Sequence, residues 1–171
     1  MTRYAAFLRG INVGGVTLKM ADVAAAMRGA GFTNVTTILA TGNLLLTSPG
    51  DAAAVRATAE SALRRRFGYD AWVLVYDVAA VQAIVDDFPF EPEVEGQQSY
   101  VTFVSDPAVL DELSDLGARD EKVARGDGVL YWQVPKGTTL TSTIGATMGK
   151  RRYKSSTTTR NLRTLSKVLR G

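Results

Sequence analysis

The chain has 171 residues, of which 46% are apolar, and carries a formal net charge of +3 with no cysteine and no histidine. This composition is typical of a globular protein with one domain or two small ones. It excludes disulfides, thiolate zinc sites and every catalytic pair that contains histidine or cysteine within one chain. An enzyme of this composition would depend on carboxylates, Lys, Tyr, Arg, hydroxyls or a bound cofactor, and we predict no cofactor and no metal site.

The charge is distributed unevenly along the chain. Residues 128–171 contain nine basic residues and no acidic one, whereas residues 1–127 contain the other 11 basic and all 17 acidic residues, a net charge of −6. This asymmetry indicates an anionic partner or a self-complementary contact. We find no run of about 18 apolar residues and no charged-then-apolar leader. We therefore expect a cytoplasmic protein with neither a membrane span nor a signal peptide.

The first half of the sequence predicts six elements from its hydrophobic spacing and turn residues. In chain order they are a strand at Tyr4–Leu8, a helix at Lys19–Ala30, strands at Val35–Ala40 and Leu44–Thr47, a helix that follows Asp51, and a strand at Trp72–Tyr76. Thr41-Gly42-Asn43 is a tight hairpin signal between the second and third strands. The order strand, helix, strand, strand, helix, strand predicts the ferredoxin-like βαββαβ arrangement.

The second half predicts a looser copy of the same pattern. After a short helix at Val78–Phe88 and a linker come a strand at Tyr100–Val104, a helix at Pro107–Leu116, strands near Lys122–Arg125 and at Val129–Val134, and helical spacing over Thr141–Lys150. We therefore predict an α+β chain with a ferredoxin-like subdomain at residues 1–90. A second α+β subdomain with a basic C-terminal helix follows at residues 91–171.

The last predicted element is a helix at Thr159–Leu169, which follows a polar connection at Arg151–Thr158. At 100° per residue, the apolar side chains of this helix share one arc and its basic side chains lie opposite. Asn161 lies at the border of the apolar arc, where a polar group needs a partner. The segment predicts a helix that docks one face and presents a basic stripe on the other.

Several motifs together resemble the signature of one bacterial family of uncharacterised proteins. They are Phe7-Leu8-Arg9-Gly10-Ile11-Asn12-Val13-Gly14-Gly15, Met20 at the opening of a helix, Gly31-Phe32, Thr41-Gly42-Asn43 and Thr159-Arg160-Asn161. The family is catalogued as domain of unknown function number sixteen ninety-seven, and the resemblance spans nearly the whole chain. It implies an α+β fold with ferredoxin-like halves and assigns no activity.

The glycine-rich stretch after the first strand is the main candidate site. An apolar strand, then Arg9, Asn12 and glycines, then a helix start, is an arrangement that aims backbone amides at an anion. Its spacing is neither the dinucleotide fingerprint nor a P-loop. A glycine turn with a purely structural role remains the alternative. The predicted ligand-binding residues are Arg9, Asn12, Gly14, Gly15, Lys19, Thr41, Asn43, Arg160 and Asn161.

The basic tail is a second candidate, for a nucleic-acid backbone. Arg151, Arg152, Arg163 and Lys167 are the predicted contacts, although a basic helix face is often only a solvated face. Tyr153 is the single aromatic residue of the tail, so base-specific readout is disfavoured.

Three hypotheses follow from these residues. The first, which we favour, is a non-enzymatic binding module for an anionic small molecule, nucleotide-like in character, or for nucleic acid. The second is an enzyme that acts on a small phosphorylated or carboxylated substrate through Arg9, Asn12, Lys19 and Arg160. The third is a protein-interaction or homo-oligomer module in which the basic tail docks on an acidic neighbour. The sequence leaves the oligomeric state open.

Overall fold

The structure is a computed structural model that describes residues 1–9, 11, 16–116, 121–139 and 142–171. These residues form a mixed α+β protein with two four-stranded antiparallel sheets and six α-helices. The elements of the first half are β1 Thr2–Leu8, α1 Met20–Gly29, β2 Thr33–Ile38, β3 Asn43–Ser48, α2 Ala52–Phe67, β4 Val73–Asp77 and α3 Val78–Asp86. Those of the second half are β5 Gln97–Val104, α4 Pro107–Leu113, β6 Lys122–Arg125, β7 Val129–Pro135, α5 Thr143–Met148, a 3-10 turn Arg151–Tyr153, β8 Thr157–Asn161 and α6 Leu162–Arg170.

The chain divides into two compact units. Unit 1 comprises Met1–Gln82 together with Lys167–Gly171, and unit 2 comprises Ala83–Ser166. Gly171 lies close to side chains of unit 1, since a Cβ built on it would be 2.8 Å from Ile38 Cδ1 and 2.9 Å from Leu45 Cδ1. The sequence-based boundary between residues 90 and 91 stays a prediction.

The sheet of unit 1 has the strand order β2-β3-β1-β4, with every neighbouring pair antiparallel. Alternation along β1 turns Tyr4, Ala6 and Leu8 into a core that α1 and α2 complete with Met27 and Leu63. This packing explains why α1 carries apolar residues at helical spacing. The sheet thereby fixes where the end of β1 lies.

The ends of α2 are set by specific residues. The Ala54 N–H donates to the Asp51 carboxylate at 2.8 Å, which caps the first turn. Gly68 ends the helix with φ = 67°, the left-handed conformation that glycine adopts without a Cβ penalty. These two residues set where α2 begins and ends, so that its last turn is followed by the short segment of residues 68–72 that leads into β4.

The sheet of unit 2 has the strand order β6-β7-β5-β8, again antiparallel throughout. Leu110 and Leu113 of α4 and Met148 of α5 pack with Trp132 on one face of this sheet. The indole N–H of Trp132 donates to Thr102 Oγ1 at 2.9 Å, so the buried ring keeps its polar atom satisfied.

The predicted helix at Thr159–Leu169 was wrong at its beginning. Thr157–Asn161 is strand β8, paired with β5, and the helix starts at Leu162. Three consecutive threonines are β-branched and favour a strand. The Thr164 N–H donates to Asn161 Oδ1 at 2.8 Å, so Asn161 caps the helix instead of lying within it.

Candidate functional site

Three segments of unit 1 meet at the end of β1. The Leu8 N–H donates to the Gly42 carbonyl at 2.8 Å, and the Arg9 N–H donates to the Trp72 carbonyl at 3.0 Å. The end of β1 therefore touches both the turn between β2 and β3 and the residue before β4. We call this end of the unit 1 sheet the basic end and define it by Arg9, Lys19, residues 39–42, Arg64–Arg66 and Trp72.

The start of α1 belongs to the basic end because of the chain's path. A short turn joins the last residue of α1, Gly29, to the start of β2, which lies at the other end of the sheet. A helix of 10 residues is about 15 Å long, so its first turn points back toward the end of β1. Lys19 occupies the N-cap position, is exposed, and makes no side-chain cap.

Arg9 is half-buried at the end of β1. Burial lowers the pKa of its guanidinium below the ordinary arginine value. Arginine remains charged at neutral pH even so. The structure thus places a partly desolvated cation where the glycine-rich stretch begins.

The turn between β2 and β3 supports this end of the sheet. Asn43 is fully buried, and its Nδ2 donates to the Ile38 carbonyl and to Thr41 Oγ1, both at 3.0 Å. Thr41 is exposed. The amide of Asn43 therefore shapes the turn from within, while the Thr41 hydroxyl lies at the surface.

Gly42 presses this turn against the end of β1. Its φ is +86°, and a Cβ on it would lie 3.0 Å from Leu8 Cβ and 3.1 Å from Ile11 Cδ1. Both the backbone conformation and the space require glycine at this position. The turn that Thr41-Gly42-Asn43 predicted therefore also packs against Leu8 and Ile11.

The last turn of α2 adds three arginines that the sequence analysis did not select. Arg64 donates to the Ala71 carbonyl at 2.9 Å, and its guanidinium carbon lies 4.7 Å from the centre of the Trp72 ring. Arg65 and Arg66 are exposed beside it. The signal was present as three consecutive arginines before the helix-ending Gly68. The same three arginines are also typical of the basic last turn that many helices have, and the sequence alone therefore did not indicate a binding role for them.

The basic end is electropositive. It holds five cations, and the acidic residues in the adjoining segments are Asp22 in the first turn of α1, the exposed Asp70, and Glu60 of α2. Glu60 accepts from the Val73 N–H at 2.9 Å and is paired with Arg56 at 3.1 Å, so the five cations still outnumber the acidic groups. Clustered like charges raise the local concentration of counter-ions and of charged ligands. The chemistry available there is attraction and orientation of an anion.

Arg160 lies elsewhere, in unit 2. It is nine-tenths buried, and its Nη1 donates to Thr158 Oγ1 and to the Thr159 carbonyl, both at 2.8 Å. The β5 register puts Arg160 opposite Val101 and Thr158 opposite Phe103, on the sheet face away from Trp132. Its predicted place on the solvated side of a helix was therefore wrong, because the residue belongs to a strand.

Asn161, beside Arg160, borders a groove of about 320 Å³. The groove is lined by residues 92–99, Lys136 and residues 161–163. Its carboxylates, Glu93 and Glu95, are matched by two cations, Lys136 and Arg163. Because these four charges cancel, the groove does not favour an anionic ligand.

The four predicted nucleic-acid contacts are all exposed. Arg152 already pairs with Glu112 of α4 at 2.7 Å, and Glu112 also accepts from the Tyr153 hydroxyl at 2.8 Å. Arg163 and Lys167 lie on α6, opposite its buried Leu165 and Val168. The basic stripe of the helix is therefore present, but part of the basic tail binds an acidic group of its own unit.

Some predictions fall outside the described residues, namely those on Asn12, Gly14 and Gly15. Among the residues that the structure does describe, no group of three or more Asp or Glu side chains is placed to hold a metal ion. Within the same ranges, every helix is too short or too polar to cross a membrane.

The fold and the basic end define a mixed α+β protein with a cationic surface at one end of its first sheet. The chain belongs to a family described as "Protein of unknown function (DUF1697)", whose model matches residues 1–131. The resemblance noted in the sequence is thus confirmed.

A solved structure extends the comparison. The conserved bacterial protein SP0830 from Streptococcus pneumoniae is similar with a TM-score of 0.83 at 20% identity, over 99% of this chain and 97% of that one. At this identity the likeness shows a common fold and nothing about activity. No curated protein matches the chain.

Proposed function

We propose that the protein is a non-enzymatic binding module whose ligand is a small anion or an anionic group, held at the basic end of unit 1. The observation that carries the proposal is the convergence of Arg9, Lys19 and the Arg64–Arg66 run at the end of β1. Loops at one end of a rigid sheet are common positions for binding residues.

The physical argument rests on charge and burial. Partial burial of Arg9 reduces the water around its guanidinium, and an ion pair formed there is stronger than one in bulk solvent. Guanidinium groups also bind phosphate and carboxylate with two parallel hydrogen bonds. Lys19 at the start of α1 adds a charge where backbone N–H groups favour anions.

We further propose that both units are ferredoxin-like. Support comes from the element order of unit 1, β1-α1-β2-β3-α2-β4, with the sheet order β2-β3-β1-β4. Unit 2 repeats this logic with β5, α4, β6, β7, α5 and β8 in the sheet order β6-β7-β5-β8. The cytoplasmic location and the oligomeric state stay predictions.

Thermal unfolding with inorganic tripolyphosphate tests the anion site. At a concentration ten times its Kd, a ligand of the folded state stabilises by about 1.4 kcal/mol, which raises the Tm of a chain of this size by about 3–6 °C. We expect this rise for the wild type at matched ionic strength. We expect it to be lost in Arg9→Gln and kept in the control Arg163→Gln. Equal rises in all three proteins would refute the site, and no rise in the wild type would refute the function.

A second candidate function is binding of a nucleic-acid backbone by the exposed basic residues of the tail. The solvated face of α6 favours it, with Arg163, Lys167 and Arg170 all exposed. The measurement is anisotropy of labelled oligonucleotides at about 50 and about 200 mM salt, because phosphate contacts weaken steeply over this range. Binding that is salt-sensitive and lost in Arg163→Glu/Lys167→Glu would favour this candidate. No binding at the lower salt would exclude it.

The other two hypotheses have their own tests. An enzyme at the same site would turn over a phosphorylated or carboxylated substrate, which product analysis detects. A dimer held by the basic tail would dissociate in size exclusion at high salt, since screening weakens contacts between exposed charges.

A further inference from the structure

We propose that Trp72 is a stacking platform for the base of a nucleotide whose phosphate groups bind the cations of the basic end. This inference rests on the proposed function and assigns a chemical class to its ligand. The class is a phosphorylated nucleoside, present either as a free nucleotide or within a single-stranded chain.

The position of Trp72 is fixed by two hydrogen bonds of the backbone around it. Its own carbonyl accepts from the Arg9 N–H at 3.0 Å, and the carbonyl of the preceding Ala71 accepts from Arg64 at 2.9 Å. Ala71 is fully buried, so the segment is anchored in the core. The backbone of Trp72 is thereby tied to that of Arg9, and its indole lies against the guanidinium of Arg64.

The ring of Trp72 also carries a guanidinium. Arg64 lies over it at 4.7 Å from the ring centre, a distance typical of a cation–π contact. An aromatic ring and a guanidinium plane are the two surfaces on which proteins stack unpaired bases. Here the guanidinium lies over one face of the ring, at the electropositive end of a sheet.

The two tryptophans of the chain differ in environment. Trp132 is 1% exposed, belongs to the unit 2 core, and donates its indole N–H to Thr102. Trp72 is only half-buried and lies outside a regular strand. A large aromatic side chain that keeps part of its ring at the surface, beside several cations, suits contact with a ligand that is both anionic and aromatic.

Ligand pairs with and without a base test the proposal. Tripolyphosphate and ribose 5-phosphate supply the charge, and ATP and AMP add the base. Stacking of one base contributes about 5- to 150-fold in affinity. We expect ATP to bind the wild type more tightly than tripolyphosphate by a factor in this range. We also expect ATP to quench tryptophan fluorescence excited at 295 nm, whereas tripolyphosphate does not quench it.

Variants identify the residue. In Trp72→Leu the affinity for ATP should fall to that for tripolyphosphate, and the quenching should disappear. Trp72→Tyr keeps an aromatic ring and should retain most of the gain. Trp132→Phe removes the other indole and should leave the quenching intact. If Trp72→Leu unfolds, the quenching decides the assignment: it should persist in Trp132→Phe and disappear in Trp72→Tyr, and quenching that persists in Trp72→Tyr would overturn the proposal.

The outcomes separate this inference from the function on which it rests. Equal affinity of ATP and tripolyphosphate for the wild type would overturn the stacking platform and leave the anion site in place. If neither ATP nor tripolyphosphate binds the wild type, both the stacking platform and the anion site are overturned. A base-dependent gain that survives in Trp72→Leu would also overturn the assignment to Trp72.

Two further ligands distinguish the sources of the base. AMP represents the free nucleotide, and a ten-residue oligo(dA) represents the single strand. Both carry the same base, and either result supports the platform if the gain depends on Trp72. The binding free energy of each ligand is divided by its number of phosphates and the two values are compared. A larger value for AMP indicates that the ligand is a free mononucleotide, and a larger value for oligo(dA) indicates a single-stranded nucleic acid.

Discussion

Replacing Gly42 with alanine should destabilise unit 1 measurably. An L-residue in the left-handed region costs about 1–2 kcal/mol, and φ at this position is +86°. The new Cβ would also lie 3.0 Å from Leu8 Cβ and 3.1 Å from Ile11 Cδ1. Overpacking of this kind costs about 1–3 kcal/mol. Loss of backbone freedom in the unfolded chain returns about 0.4–1 kcal/mol, which leaves a net loss of about 3 kcal/mol.

The assay is thermal unfolding followed by circular dichroism, together with a matched variant. A net loss of about 3 kcal/mol lowers the Tm of a chain of this size by about 6–12 °C. Gly31, also in unit 1, has φ = +100° and nothing within 4 Å of an added Cβ, so Gly31→Ala carries the backbone cost alone. We expect a fall of only a few degrees there. Equal falls in the two variants would refute the claim that the turn is pressed against the end of β1.

Three other predictions concern capping, ionisation and surface charge. Asn161→Ala removes the acceptor that caps α6 and should cost about 1 kcal/mol by denaturant unfolding, while Asn161→Asp keeps the cap; no loss in the alanine variant would contradict the assignment. Burial raises the pKa of Tyr76 and of Tyr131 to about 12, so absorbance at 295 nm should show late ionisation that is lost in the two phenylalanine variants. The pKa of each of these tyrosines is higher in the folded protein than in the unfolded chain. Their contribution to the free energy of unfolding is therefore complete below about pH 10 and is lost as pH rises through about 12. The exposed pair Arg152–Glu112 should couple by less than about 1 kcal/mol in a double-mutant cycle, and a larger value would mean that the pair is shielded from solvent.

Much of the fold was predictable because hydrophobic spacing and turn residues agree. The predicted helix at Lys19–Ala30 is present as Met20–Gly29, and it buries Val23, Ala24 and Met27, which helical spacing places on one face. The second helix begins after Asp51 because that side chain caps it. Such local signals depend on neighbours within a few residues, and they are therefore visible in the sequence.

The start of β8 was not predictable from helical spacing alone. Leu162, Leu165 and Val168 do share one face of α6. The predicted helix nevertheless began three residues too early, at Thr159, because helical spacing alone does not mark where the helix starts. Pairing with β5, a contact between distant parts of the chain, places Thr159 and Arg160 in a sheet. Long-range pairing of this kind overrides local periodicity.

The candidate site was predictable in part. Arg9 and Thr41 lie at the same end of the unit 1 sheet, as the hairpin and the glycine stretch indicated. The contribution of Arg64 and Trp72 was missed because both lie some 55 or more positions after Arg9 in the sequence. Only the antiparallel pairing of β1 with β4 brings these segments together.

The most direct test of the anion site is to map it by NMR. A ¹⁵N-labelled sample titrated with tripolyphosphate would report the backbone amide shifts of every assigned residue. The proposal predicts that the largest shifts cluster at Arg9, residues 16–20, residues 39–43 and residues 64–72, and that they saturate with one common Kd. Shifts confined to residues 150–154 and 163–170 would contradict it and would assign the anion to the basic tail.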